Sequence, residues 1–421
     1  MAEREDLLKQ YAPHLKYDTN EGFFADAPEE WTDQEFSVLR RRNADGSPGD
    51  VIASGSPQAG EAKLDMGFLG PKEYRDQTPV QPTDFLTWTR SDHRDQFNVL
   101  HQREDYRNRV YGRTQRDGDN RLWLQYWFYY IYNDYNMAGG FGLHEGDWEG
   151  IQLLMEKDER QPELAVYAQH THAEYRAWRD VELRDGVTPV VYVGRGSHAS
   201  YFTSGAHQVG VVWWDYCDGE REPPDLKLEL IGGDEPWVTW PGVWGATMPR
   251  HPPLEQSSPA GPCRPRGRWF DPRTLLKGAA TDREQPPLPP KPSVDVSREG
   301  RRLALGFDLS SYGDLADAPE RLVVTVNRVQ APEETPREPP RTHSFAVAGV
   351  RKAQLGLRDH LNEGSAYTVS VSATTPDGRP TPSNTKRLAI PDLSLRERAV
   401  ERWGRFGEGL GATWRRLRGR R

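Results

Sequence analysis

Asp134, His144, Asp147 and Glu149 are side chains of the kind that hold a cation or move a proton, and they fall within one short stretch. The stretch reads NDYNMAGGFGLHEGDWEG and lies between two apolar, aromatic-rich segments. In a strand, residues two apart project to one side, so Asp147 and Glu149 share a face and Trp148 turns to the other. Neighbouring carboxylates repel, and a bound cation relieves the repulsion. With Asp134 and His144 from the connecting loop the donor set is mostly oxygen, which suits Ca²⁺, Mg²⁺ or Mn²⁺ better than a structural zinc. The competing expectation is that Asp147 and Glu149 pair with arginines and the histidines make ordinary hydrogen bonds.

His170 and His172 follow the segment LAVYAQ and can reach the same end of a sandwich; His170 continues directly from the strand and is the better candidate. The loop GRGSHAS lacks the spacing of a nucleophile elbow or a dinucleotide loop, so Gly194 and Gly196 are read as turn or bulge formers. Trp213, Trp214, Trp237, Trp240 and Trp244 could offer a sugar-stacking surface, but most are expected in the core.

The elements that must position these residues are strands. LWLQYWFYYIY, WEGIQLLM, LAVYAQH, TPVVYVG, VGVVWW, LKLELI and WVTW are short, rich in β-branched or aromatic residues, and bounded by Gly, Pro, Asp or Asn. AEYRAWRDVEL is the main helical candidate among them, and residues 36–121 read mostly as loops and short elements. Strands without regular intervening helices predict a mainly β fold, an antiparallel β-sandwich with long loops.

A chain of 421 residues holds two or three domains. Gly 39 and Pro 34 argue for many turns and against a helical bundle. The net charge of −8 gives no reason to expect nucleic acid as a partner. Cys217 and Cys263 are too few for a disulfide scaffold or a four-thiolate zinc site; two reduced thiols are expected, with pairing as the alternative. No apolar run approaches the roughly 20 residues that span a bilayer, and the acidic N-terminus does not read as a signal peptide. The predicted organisation is a first sandwich over 1–282, a proline-rich linker over 283–293, a second sandwich over 294–391 and a basic tail over 392–421. The tail carries nine Arg against four acids. At helical spacing Leu395, Ala399, Trp403, Phe406, Leu410, Trp414 and Leu417 form one apolar face, with arginines such as Arg415 and Arg416 opposite. That pattern fits an amphipathic helix on an anionic membrane or against a protein partner.

Two resemblances add to this reading. LQYWFYYIYND, HEGDWEGIQL and VVYVGRGSHASYF, with YAPHLKYDTNEGFF before them and WGAT, SPAGP and GRWFDP after, resemble the vacuolar protein sorting-associated protein 62 family over residues 1–275. HEGDWE is also similar, more distantly, to the glycine-His-Arg-His-Asp-Trp-Glu signature of the necrosis- and ethylene-inducing peptide-like cytolysins. Those are β-sandwich proteins whose surface cavity holds a divalent cation that assists binding to sphingolipid sugars. This likeness implies metal ligands at Asp134, His144, Asp147, Glu149 and His198, while Glu145 and Gly146 stand where the signature has Arg and His. Tyr201, beside His198, joins His170 as a candidate ligand contact. LRDHLNEGSAYTVSVSATTPDGRPTPSN resembles the end of a fibronectin type III domain, with Tyr367 as its corner tyrosine, Leu361 six residues earlier and Phe307 in place of the usual core Trp.

Two functions follow as expectations. The first is a cation-containing sandwich that binds a polar lipid head group or glycan, assisted at a membrane by Trp403, Phe406, Leu410, Trp414, Arg415 and Arg416, with a protein partner for the fibronectin-like domain. The second is a metal-dependent hydrolase of phosphoesters, esters or glycosides in which His198 or Glu149 moves protons. Binding is placed first because no nucleophile motif appears. The expected location is cytoplasmic, peripheral at a membrane, with signal-independent export as the exception.

Overall fold

In the computed structural model the chain divides into two compact units, Met1–Leu288 and Pro289–Arg421. The structure describes residues 2–70, 72–74, 78–135, 142–170, 172–209, 213–224, 226–232, 235–246, 261–262, 269–276, 292–299, 302–309, 312, 319–331, 334, 338–347, 352–357, 361–374, 381 and 383–391. The amphipathic tail, Cys263 and most of the proline-rich linker lie outside these residues.

The chain is mainly β, and its pairings are mainly antiparallel. The first unit is built on two long strands, Leu122–Asn133 and His144–Met155, paired antiparallel with Trp148 opposite Tyr129 and Asp147 opposite Tyr130. Pro162–Gln169 and His172–Ala177 extend the sheet on one side, and Arg109–Arg116 and Lys227–Leu230 on the other, the last pairing being parallel. Both faces of the long strands are buried, and the first reads accordingly as a nearly continuous apolar run. On one face Trp148 packs among Tyr129, Trp237 and Trp244 with ring centroids 4.9–5.4 Å away, so it is packing and not chemistry. Trp237, Trp240 and Trp244 are likewise core residues.

Three expectations are corrected. AEYRAWRDVEL is not a helix: His172–Ala177 is a strand paired with Pro162–Gln169, followed by a single 3₁₀ turn at Trp178–Asp180. An exposed edge of the sheet outweighs the helix propensity of its Ala, Glu and Arg residues. WVTW is a helical turn, Pro236–Thr239, opened by a proline in its first turn. Of VGVVWW, Val209 ends the strand Gly205–Val209 and Trp213 opens the strand Trp213–Cys217 that pairs with it, and residues 210–212 lie outside the described residues. Residues 36–121 are also more regular than expected. They hold the sheet Ser37–Arg42, Pro48–Ser54, Ala62–Lys63 and Phe85–Trp88, the helix His93–Leu100 and the strand Arg109–Arg116.

The second unit packs a three-stranded sheet (Ser293–Glu299, Arg302–Asp308, Lys352–Leu357) and a four-stranded sheet (Arg341–Ala346, Arg321–Arg328, Ala366–Thr374, Asn384–Ala389) around one core. This is the fibronectin type III-like arrangement. Tyr367 makes the corner: its hydroxyl accepts the Asn362 N–H at 2.8 Å, and Leu361 is fully buried. Phe307 fills the core where a larger ring was expected.

Candidate functional site

The site lies where the two long strands meet the loop between Thr188–Val193 and Ser200–Tyr201. That loop is closed by two backbone bonds, Gly194 N–H to Ala199 O and His198 N–H to Gly194 O, both 2.8 Å. The closure turns Gly196 and His198 left-handed, at φ +72° and +57°. Gly196 has no substitute there, because a Cβ would stand 2.5 Å from Asp134 Oδ1 and 2.9 Å from the Tyr135 nitrogen.

His198 is fully buried. Its Nδ1 stands 3.0 Å from Asp147 Oδ2, and since an ionised carboxylate only accepts, Nδ1 carries the proton. The same oxygen accepts from the Asn133 amide at 3.0 Å, and the imidazole stacks on Tyr130 at 3.9 Å with the planes 3° apart. On its other side Nε2 faces Glu21 Oε1 at 3.9 Å, too far for a direct hydrogen bond. Glu21 is fixed by accepting the N–H groups of Gly22 (2.7 Å) and Phe23 (2.9 Å) on one oxygen and Gly196 (2.9 Å) on the other.

A second carboxylate–imidazole pair adjoins the first. Asp215 Oδ2 accepts from His170 Nε2 (2.9 Å), Ser197 Oγ (2.8 Å) and Tyr201 OH (2.6 Å). Asn133 links the two pairs, since its amide also reaches the Ser197 carbonyl at 3.3 Å. His170, like His198, has a left-handed backbone, at φ +42°. Non-glycine residues in that region cost roughly 1–3 kcal/mol each and concentrate at functional sites. Among the buried atoms with no hydrogen-bond partner among the described residues are His198 Nε2 and Asp215 Oδ1, and Ser200 Oγ on the adjoining strand.

Charge balance follows from these contacts. Burial by itself would push the His198 imidazole down, but the Asp147 hydrogen bond and the charges of Glu21, Asp147 and Asp134 outweigh it and raise its pKa. Burial would push Asp147 up; the His198 hydrogen bond and the nearby His144 and His198 imidazoles hold it below the usual carboxylate range. His170 and Asp215 behave in the same way, the histidine raised and the aspartate lowered despite burial. A histidine raised in the folded state gives stability below its unfolded value of 6.5 that is lost as pH rises through the folded value. A lowered aspartate gives stability above 3.8 that is lost as pH falls through the folded value. The two pairs therefore stabilise the first unit most between 3.8 and 6.5. Its denaturation midpoint is expected to be higher near pH ~5.5 than near pH ~8.5, with the difference reduced in His170→Gln. An unchanged difference in that variant would assign the pH dependence elsewhere.

The structure gathers the residues expected from the sequence into one neighbourhood without joining them in one coordination shell. Asp147 and His198 touch, and His170 and Tyr201 share Asp215. Asp134 forms an ion pair with Arg94, while His144 Nδ1 lies 3.0 Å from the Gly146 carbonyl. Glu149 is buried, and its charge acts on the hydroxyls of Tyr130 and Tyr201. Among the described residues no three His, Cys, Asp or Glu side chains are arranged to hold a metal ion. The donors as placed make a hydrogen-bonded charge network and do not fit a cation shell, so no step is derived through a cation. Glu21, Arg94, Asn133, Ser197 and Asp215 have central places that sequence reasoning gave to other residues. The segment YDTNEGFF carried the signal for Glu21, but only as part of a resemblance.

No protein family matches the chain in a scan of family profiles, and no curated protein matches it. Solved structures similar to it include fibronectin type III domains. The third fibronectin III domain of a human protein is 15% identical, over 28% of this chain and 96% of that domain, with a TM-score of 0.21. A myokine structure is 16% identical over 24% of this chain and 98% of its own, with a TM-score of 0.19. A polysaccharide deacetylase from Bacillus cereus is 9% identical over 24% of this chain and 30% of its own, with a TM-score of 0.18.

Proposed function

We propose that the first unit binds a hydroxyl-rich ligand, the glycan or polar head group of a lipid, at the end of the sandwich where the two carboxylate–imidazole pairs meet. The observation that carries this reading is the unmet hydrogen-bonding capacity of His198 Nε2, Asp215 Oδ1 and Ser200 Oγ inside a charge network held by two left-handed histidines. Buried polar atoms are almost always paired, so such orphans can take another molecule's polar groups. A hydroxyl suits the 3.9 Å gap beside His198, because it can accept from an imidazolium N–H and donate to Glu21. A phosphate would only accept, and it would meet Glu21, Asp147, Glu149 and Asp215 at close quarters.

The reading agrees with the sequence likeness to the cytolysins, which bind sphingolipid sugars. A divalent cation, which that likeness implies, would have to take Asp147 Oδ2 and His198 Nδ1 away from each other. Binding is favoured over hydrolysis because the sequence holds no nucleophile motif. The arginine-rich tail supports a setting at an anionic membrane surface.

Flotation of the full chain with vesicles of plain phosphatidylcholine, anionic lipid or glycosphingolipid, together with a glycan array, tests the proposal. Retention on glycolipid vesicles, reduced at least tenfold in Ser200→Val or His170→Gln, is the expected result. Retention on anionic vesicles alone, equal in these variants, would leave only the tail as a membrane contact. Failure on every glycolipid and glycan would sink the reading.

A further inference from the structure

Asn133 ends the first long strand, and the two residues after it pack against the Gly196 turn. Tyr135 is fastened there twice. Its N–H donates to Asn133 Oδ1 at 3.1 Å, and its hydroxyl donates at 3.0 Å to the carbonyl of Trp214, in the strand Trp213–Cys217. The ring between these anchors stands 5.9 Å from the His170 imidazole, with the planes 46° apart. Here the charge network meets solvent: the side chains of His170, Asp134 and Arg94 are 29%, 22% and 19% exposed, while His198, Asp215 and Ser200 are fully buried. We propose that Tyr135 is the ring-stacking residue of the site, taking the C–H face of a pyranose whose hydroxyls turn to His170 and to the Arg94–Asp134 pair. The role rests on the binding reading above and narrows its ligand to an uncharged sugar ring.

Tyr135 differs from the other tyrosines of the site in having a ring face to offer. Tyr130 and Tyr201 are buried, and each already carries an imidazole stacked on it at 3.9 Å, His198 on the first and His207 on the second. Tyr135 is half-buried, and His170 is tilted away from a parallel stack on it. Gly142, whose added Cβ would stand 3.1 Å from Tyr135 Cδ1, brings no side chain over the ring. A ring fixed by two hydrogen bonds presents apolar area with little freedom left to lose on binding. The guanidinium, carboxylate and imidazole beside it supply the donors and acceptors that sugar hydroxyls need. Arg94 is matched by Asp134, His170 by Asp215 and His198 by Asp147, so none of these three cationic groups is left over for an acidic sugar.

Flotation of the full chain with phosphatidylcholine vesicles carrying glucosylceramide or galactosylceramide tests the role. Tyr135→Leu keeps apolar bulk without a ring, and its retention is expected to fall about tenfold. Tyr135→Phe keeps the ring without the bond to Trp214 and is expected to stay within about threefold of the natural chain. Soluble methyl glucoside or methyl galactoside is expected to displace the natural chain from the vesicles, and sorbitol, which carries hydroxyls on an open chain, to fail at the same concentration. Denaturant unfolding checks that each variant's first unit is folded. If Tyr135→Leu does not fold, the competition between the glycosides and sorbitol on the natural chain decides. Full retention of a folded Tyr135→Leu, equal losses in the Leu and Phe variants, or displacement by sorbitol as good as by the glycosides overturns the stacking role and leaves the binding reading standing. A natural chain that no glycolipid retains sinks both.

Discussion

Asp147→Ala is expected to destabilise the first unit by about 3–5 kcal/mol, the range for breaking a buried pair and leaving its partner charge uncompensated. The size follows from what depends on one oxygen. Asp147 Oδ2 accepts from both His198 Nδ1 and the Asn133 amide, and His198 has no exposed surface through which water could replace the lost partner. Asp134→Ala is the control, because its carboxylate pairs with Arg94 in a partly exposed position. A pair open to water in this way is worth on the order of 1 kcal/mol. Asp147→Asn should fall between the two, since the amide oxygen can still accept from His198 without balancing a positive charge. Denaturant unfolding that resolves the two units separately measures all three, with the second unit as an internal reference. Equal losses for Asp147→Ala and Asp134→Ala would show that the buried pair does not organise this end of the sandwich.

Gly146→Ala is expected to abolish the native site while leaving its charged residues in place. Gly146 has φ +59°, and a Cβ there would lie 2.0 Å from the Trp244 carbonyl oxygen. The left-handed backbone alone costs an alanine roughly 1–3 kcal/mol, and the overlap with backbone forces Trp244 or the strand to move. Trp244 is fully buried against Tyr129 and Trp148, so that shift disturbs the aromatic core as well. The expected result is a first unit that melts well below the natural chain or fails to accumulate, with the second unit's transition unchanged. A Gly146→Ala chain that melts normally would contradict the close approach. No larger residue fits between Glu145 and Asp147 in this backbone.

Much of the fold was legible because its signals are local. The aromatic character of the first long strand, the shared face of Asp147 and Glu149 and the turn of Trp148 to the opposite, buried face were all legible in this way, the last two from the period of two in a strand. The second unit was legible almost strand by strand, down to the hydroxyl of Tyr367 at its corner. Local signals misled where a neighbour overruled them, as at Ala173–Ala177, whose helix-favouring residues complete a sheet edge.

The site itself divides along the same line. Residue type and spacing alone marked Asp147 as a focus of charge and His170 as the better of two histidines. The resemblance added His198. The partner each imidazole holds was a matter for the tertiary structure. His198 meets Asp147 across 51 residues, His170 meets Asp215 across 45, and the Gly196 N–H meets Glu21 across 175. Periodicity and propensity act over a few residues and give no preference among distant partners. Those are chosen when loop closure and burial leave a charged group one way to satisfy its hydrogen bonds. The stretch around residues 134–149 thus declared from its own sequence that carboxylates and an imidazole would gather. Only the packed fold decided that Arg94 takes Asp134, that Gly146 takes His144, and that Asp147 is left to hold His198.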